Sequence, residues 1–405
     1  MMVGNWTFHA YVMAPDGKSN VIHLHDGMEV IRGSQRVKFS GWEIPYNPRD
    51  LMWHPDCKQF AMWAPVTKEE PLRAIALMDV TKLSPVQRAG DPPPYKILYR
   101  SVIGRSPFGF EWSPQGDALF VIESVYESET QTYYGEIVRI DLSRPDKPRT
   151  IVRLPGHIDF FMPPVSRFER GEGPSPRPYF LIFGHREGLF YVDPEGKQAR
   201  RVSEIPAVGL HNVEWNPRED KNEVTLFFRR PVVASDGRTF AGVWVVDIGA
   251  FEKQGDAALR SLYDGRDIHT LWYSPRGTYI TWASPNAVWF QPPSAKEDQI
   301  VRIDPPAPGL GEVKGATWSD DESRLALTIG NTVFVYVLAT KDMYQVASFG
   351  ETSSHFCAEP RWVGNELFLT VFEDAGAQRK KPGTRQLRFG KPKPKPESGE
   401  APGGQ

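Results

Sequence analysis

One short unit recurs along the chain: an aromatic residue, a tight turn, then a strand of apolar residues. It appears as Trp53-His54-Pro55, Trp112-Ser113-Pro114-Gln115-Gly116, Trp215-Asn216-Pro217, Tyr273-Ser274-Pro275-Arg276-Gly277 and Trp318-Ser319-Asp320. Ser or Asn at the first turn position accepts a backbone hydrogen bond, Pro presets φ at the second, and Gly relaxes the fourth. Each copy is therefore a β-hairpin signal. A period of roughly 40 to 60 residues with several strands in each is the mark of radial repetition.

Each turn leads into a second strand: Phe60 to Trp63, Ala118 to Ile122, Val224 to Phe228, Tyr279 to Trp282 and Leu325 to Thr328. A third strand then ends in apolar-apolar-Asp or a near variant, as in Leu77-Met78-Asp79, Arg139-Ile140-Asp141, Tyr191-Val192-Asp193 and Val245-Val246-Asp247. Degenerate copies at Phe161-Met162-Pro163 and Arg361-Trp362-Val363-Gly364 bring the number of units to seven.

With these turns the chain resembles β-propellers of the TolB-like kind, whose blades carry a Trp-Ser-Pro-Asp-Gly turn. It is more distantly similar to tryptophan-aspartate repeat proteins. Trp112 to Gly116 and Tyr273 to Gly277 come closest to the full turn, and no unit carries a Trp-Asp dipeptide. The resemblance covers the chain to about residue 375. It implies an all-β propeller acting as a rigid platform for other proteins, and the seven units give it seven blades.

A ring of sheets needs its ends fastened. Tyr11 to Lys18 reads like the outer hairpin Tyr191 to Lys197, whereas the unit at Arg361 to Phe372 supplies inner strands. Residues 6–26 are therefore expected to complete the last blade, within one domain over 1–375. The competing reading is an independent N-terminal hairpin with six or eight blades. No sustained helical period occurs, and Ala250 to Ser261 reads as a loop with at most one helical turn.

A net charge of −2 with 24% charged residues gives the chain no overall bias toward nucleic acid or anionic lipid. Cys57 and Cys357 read as two free thiols in a reducing compartment; a disulfide would need the first and last blades to bring them together. The first residues lack the apolar core of a secretory leader, and no run approaches the roughly 20 apolar residues of a membrane span. The expected location is cytoplasmic, or periplasmic if a leader was removed.

From about Ala375 the apolar alternation gives way to a basic, Pro-rich segment, apart from a short candidate strand at Gln386 to Phe389. Residues 376–405 are expected to form a flexible tail. Its Arg379, Lys380, Lys381, Arg385, Arg388, Lys391, Lys393 and Lys395 form a candidate contact for an acidic partner, a nucleic-acid backbone or an anionic membrane; a purely solubilising tail is the alternative.

No Gly-x-Ser-x-Gly elbow, P-loop, dinucleotide fingerprint or zinc-type Cys pairing occurs, so no catalytic residue, cofactor or metal site is assigned. Ser235 to Phe240 reads as a hairpin turn. His23 and His25 share a strand face, and His211, His269 and His355 precede inner-strand motifs; ordinary loop and edge histidines account for all five. Glu111 and Glu214 each precede a motif Trp, but no matching carboxylates recur in the other units.

Long excursions offer more. Ser124 to Tyr134 joins two strands through a polar segment with three tyrosines, Tyr126, Tyr133 and Tyr134. Tyrosine buries much area at modest entropy cost and keeps a hydroxyl for a partner. A self-packed hairpin is the alternative. Arg229 and Arg230 open a second excursion, and Arg167 to Pro178 is a third. The expectation is a non-catalytic scaffold binding other proteins within a larger assembly; the alternative is a ligand-binding or hydrolytic propeller acting at a central channel.

Overall fold

The computed structural model describes residues 8–14, 16, 19–24, 27–32, 35–40, 51–64, 73–82, 95–162, 181–196, 199–203, 205, 210–218, 221, 223–234, 237–265, 268–294, 299–349, 355–357, 360–364, 366–373 and 383–389. The chain divides into two compact units, Met1–Pro305 and Pro306–Gln405. Among the described residues the secondary structure is almost wholly antiparallel sheet.

The first unit contains six four-stranded sheets in chain order. They are β1 (Phe8–Met13) to β4 (Gln35–Ser40) with β2 (Ser19–Leu24) and β3 (Gly27–Arg32); then β5 (Leu51–Trp53), β6 (Gln59–Trp63), β7 (Ala74–Asp79) and β8 (Tyr95–Arg100). The third sheet is β9 (Arg105–Trp112), β10 (Ala118–Glu127), β11 (Thr132–Asp141) and β12 (Arg149–Pro155). The fourth is β13 (Ile158–Met162), β14 (Leu181–His185), β15 (Gly188–Val192) and β16 (Arg200–Ser203). The fifth is β17 (Leu210–Trp215), β18 (Glu223–Val233), β19 (Thr239–Asp247) and β20 (Arg260–Tyr263), and the sixth β21 (Thr270–Tyr273), β22 (Ile280–Ser284), β23 (Ala287–Gln291) and β24 (Val301–Ile303).

The motif turns close as their chemistry requires. Ser113 N–H donates to the Ala118 carbonyl at 2.8 Å, and the Ser113 hydroxyl oxygen accepts from Ala118 N–H at 3.0 Å. Ser274 does the same with Tyr279, and Ser319 with Arg324. The fourth turn residue is left-handed in each, at Gly116 (φ 71°), Gly277 (φ 70°), Glu322 (φ 59°) and also Cys57 (φ 57°).

Period-two alternation then buries both faces of the interior sheets. In β10, Leu119 and Val121 join Trp63 and Phe110 in a core shared with the second sheet, while Phe120 and Ile122 join Leu181 and Phe183 of the fourth. Leu189 and Tyr191 pack with Val224 and Leu226, and Phe227 and Val245 with Trp282, continuing the series through the sixth sheet. Sheets buried on two sides need near-continuous apolar strands, which explains runs such as Ala118-Leu119-Phe120-Val121-Ile122.

The second unit holds a seventh sheet, β25 (Val313–Trp318), β26 (Arg324–Ile329), β27 (Thr332–Val337) and β28 (Asp342–Ser348), and an eighth. In the eighth, β29 (His355–Cys357) and β30 (Arg361–Val363) lie in line along one edge of β31 (Glu366–Glu373), and β32 (Gly383–Phe389) pairs with its other edge. Ala326, Val333, Leu367 and Leu369 form the core of this unit.

Three sequence expectations are corrected. Residues 6–26 do not complete the last sheet: β1 and β2 pair with each other, and β2 with β3, in a sheet of their own. Neighbouring hairpins close with little loop entropy, and Gly27 to Ser40 continues the strand pattern without a Trp-Pro turn to mark it. The described residues therefore hold eight four-stranded sheets where the motif count gives seven units. The segment after 376 is not tail throughout, since Gly383–Phe389 supplies the strand beside β31. Finally, Ile248–Gln254 is an α-helix, α1, N-capped by Asp247, whose Oδ1 accepts from Ala250 N–H at 2.8 Å, and a 3₁₀ turn follows over Gly255–Ala258.

Candidate partner-binding site

In these meanders the motif turns leave one end of each sheet, and the hairpins between second and third strands leave the other. The β10–β11 hairpin is continuous from Ala118↔Asp141 to Glu127↔Thr132. Its flanking strand β9 reaches only to Val125↔Arg105. Beyond that, Tyr126 N–H donates to Gly104 O at 2.9 Å and Gly156 N–H to Tyr133 O at 2.8 Å. The tip of the hairpin thus stands between two connecting loops.

Tyr126 and Tyr133 are directly opposed on this hairpin, with ring centroids 4.8 Å apart. Alternation puts them on the same face as Phe120 and Ile122, but past the point where the fourth sheet covers it. They are 42% and 51% exposed. His157 extends the surface, its ring 5.5 Å from Tyr133 and its Nδ1 2.9 Å from the Ser124 hydroxyl. Gly135 permits the close approach beneath them: a Cβ there would stand 2.6 Å from Ile158 N.

The loop before β9 adds Val102, 57% exposed, and Ile103, 92% exposed. A turn bond from Arg105 N–H to Val102 O fixes its shape at 3.0 Å. Phe108, exposed where a bulge interrupts the β9–β10 register, lies on the same sheet. Together these five are most of the exposed large hydrophobics among the described residues. Glu129 at the tip is exposed and has no ion-pair partner among the described residues.

The opposite face of the hairpin carries a polar lock. Glu123 and Glu136 are cross-strand neighbours and fully buried. Arg105 Nη1 donates to both, at 2.7 Å and 2.8 Å. Arg153 donates to the other oxygen of Glu136 at 2.8 Å and to Glu127 at 3.0 Å, and the Thr150 hydroxyl donates to Glu136 at 3.1 Å. The Tyr99 hydroxyl, from the second sheet, donates to Glu123. Burial first, then the hydrogen bond and charge of Glu123, push the Tyr99 phenol far up from its ordinary value. Burial pulls the Arg105 guanidinium down, but its bonds to Glu123 and Glu136 outweigh that and raise it. Two buried carboxylates side by side would repel; two arginines and a phenol make them a clamp on the loop that carries Ile103.

The three tyrosines singled out in the sequence therefore separate. Tyr126 and Tyr133 form the exposed surface, whereas Tyr134 points to the other face, where the Arg153 guanidinium lies 4.1 Å over its ring. Arg229 and Arg230 project from the β18–β19 hairpin of the fifth sheet. Arg379, Lys380, Lys381, Lys391, Lys393 and Lys395 lie outside the described residues, as do His25, the side chains of His23, His211 and His355, and the Arg167 to Pro178 segment. Glu111 and Glu214 are half-buried. Sequence reading missed Val102 and Ile103, an apolar pair in a turn, and Glu123, a carboxylate at the end of an apolar strand.

Among the described residues no helix is long and apolar enough to cross a membrane. No protein-family model and no curated protein matches the chain. Among solved structures it is similar to the Dos1 propeller, with a TM-score of 0.52 and 9% identity over 90% of this chain and 89% of that one. It is also similar to oligogalacturonate lyase from Vibrio parahaemolyticus, with a TM-score of 0.50 and 12% identity over 80% of this chain and 86% of that one. At such identities the likeness bears on fold alone. With its succession of four-stranded antiparallel sheets, the chain has an all-β fold of the propeller type.

Proposed function

We propose that this chain is a non-catalytic propeller module of the TolB-like kind that binds another protein through the aromatic end of its third sheet, in the cytoplasm and within a larger assembly. One observation carries the reading: Val102, Ile103, Phe108, Tyr126 and Tyr133 are exposed on the third sheet and the loop that leads into it, at positions fixed by backbone bonds and by the Glu123–Arg105–Glu136 clamp. Exposed apolar surface concentrated in this way marks interaction sites, and tyrosines on a rigid support lose little entropy on docking. The buried carboxylates each meet a donor within the clamp, so they serve the architecture rather than a substrate.

Affinity capture from the native cell extract tests the reading. Wild-type protein is expected to retain a stoichiometric protein partner that a Tyr126→Ser/Tyr133→Ser variant loses at unchanged melting temperature. Identical partners for the two proteins would refute it.

A further inference from the structure

The β18–β19 hairpin contains a second surface of different chemistry. Its register runs from Glu223↔Asp247 to Phe228↔Gly242 and resumes at Val232↔Phe240. Arg229, Arg230 and Pro231 therefore stand opposite Ala241 alone. A bulge of this kind bends the strand and re-aims its side chains. It is held on both sides by buried residues: Phe228 and Phe240 at 0% and Val232 at 7% exposure. The flanking strand β17 ends its pairing at Leu210↔Phe228, so the bulge lies just past the edge of covered sheet. Pro231 fixes one more backbone dihedral there.

Both arginines are exposed, and among the described residues neither has a hydrogen-bond or ion-pair partner. Several other guanidinium groups are matched to carboxylates: Arg105 to Glu123 and Glu136, Arg139 to Asp141 and Glu195, Arg149 to Glu195, Arg200 to Glu252. Val233, 63% exposed, lies two residues on. Two adjacent unmatched guanidiniums on a bulge whose backbone is anchored at both ends are complementary to carboxylates on an extended chain, each guanidinium presenting a planar fork to one carboxylate. A nucleic-acid backbone is a poorer match, because affinity for it grows with the number of phosphates neutralised and the chain's net charge is −2.

We infer that the Arg229-Arg230-Pro231 bulge docks an Asp- or Glu-rich segment of a partner protein, at a site separate from the aromatic hairpin of the third sheet.

Fluorescence anisotropy with a labelled octaglutamate peptide and the full-length protein tests this. Wild-type protein is expected to bind the peptide at low salt and to release it as salt rises. Arg229→Gln/Arg230→Gln should weaken binding about tenfold without altering the melting temperature, since both side chains are exposed. Arg229→Lys/Arg230→Lys should fall between the two, and Tyr126→Ser/Tyr133→Ser should bind like wild type. Absence of binding, or equal binding by the Gln variant, would overturn the inference. So would tighter binding of oligothymidylate through the same two arginines.

Discussion

The indole Nε1 of Trp112 donates to the main-chain carbonyl of Met52, the residue before the motif Trp of the preceding sheet, at 3.1 Å. In the 306–405 unit Trp362 makes the equivalent bond to Thr317, which precedes Trp318, at 3.2 Å. At Trp112 and Trp362 the motif ring is thus both part of a core and a tie between successive first strands. Where Tyr273 replaces it, the phenol reaches Thr225 Oγ1 of the preceding sheet at 2.5 Å instead.

Trp112→Phe should therefore cost about 1 to 3 kcal/mol, because it leaves the part-buried Met52 carbonyl without this donor. Trp112→Ala should cost about 3 to 5 kcal/mol by emptying the core beside Trp63 and Phe110. Urea unfolding of the full chain measures both, and a Phe variant as stable as wild type would assign the effect to the ring alone.

Gly116→Ala should destabilise by about 1 to 3 kcal/mol. Its φ of 71° disfavours a side chain, and a Cβ would stand 2.5 Å from Nε2 of His54, which bonds Gly116 O at 2.8 Å. A melting temperature equal to that of wild type would show that this turn yields.

Arg105→Met strips both buried carboxylates of a shared donor and should cost about 3 to 5 kcal/mol. Combining it with Glu123→Gln and Glu136→Gln should recover most of that loss, as the repulsion goes with the charges. A triple variant no more stable than Arg105→Met would mean that the clamp acts by shape rather than by charge.

Burial pushes the Asp321 carboxyl up, but bonds from the Ser319 hydroxyl at 2.6 Å, the Ser323 hydroxyl at 2.8 Å and Ser323 N–H at 3.1 Å outweigh it and hold it at about 2. With a folded value below the unfolded one, the contribution is present above about pH 4 and is lost as pH falls toward 2; at this exposed site solvent limits it to about 1 kcal/mol. Asp321→Asn should lower stability by that amount at neutral pH, with the gap closing as pH falls toward 2. A gap independent of pH would exclude the charge as its source.

The hairpins were legible because turn chemistry is local: Ser113, Pro114 and Gly116 specify their turn whatever surrounds it. The first sheet was less so, since β3 and β4 lack that punctuation. Parity along Ser124 to Tyr134 separates Tyr133 from Tyr134, but only the register Tyr126↔Tyr133 shows which pair meets. The Glu123–Arg105–Glu136 clamp was not readable. It depends on which strands lie beside β10 and β11, and no spacing in the sequence records that Arg105 and Arg153 both reach Glu136.

Hydrogen–deuterium exchange on the complex of the full chain with its captured partner tests the docking account most directly. Slowed exchange is predicted over 102–105 and 126–133, with the motif turns at 113–116 and 274–277 unchanged. Protection confined to those turns, with 126–133 exchanging as in the unbound protein, would contradict it.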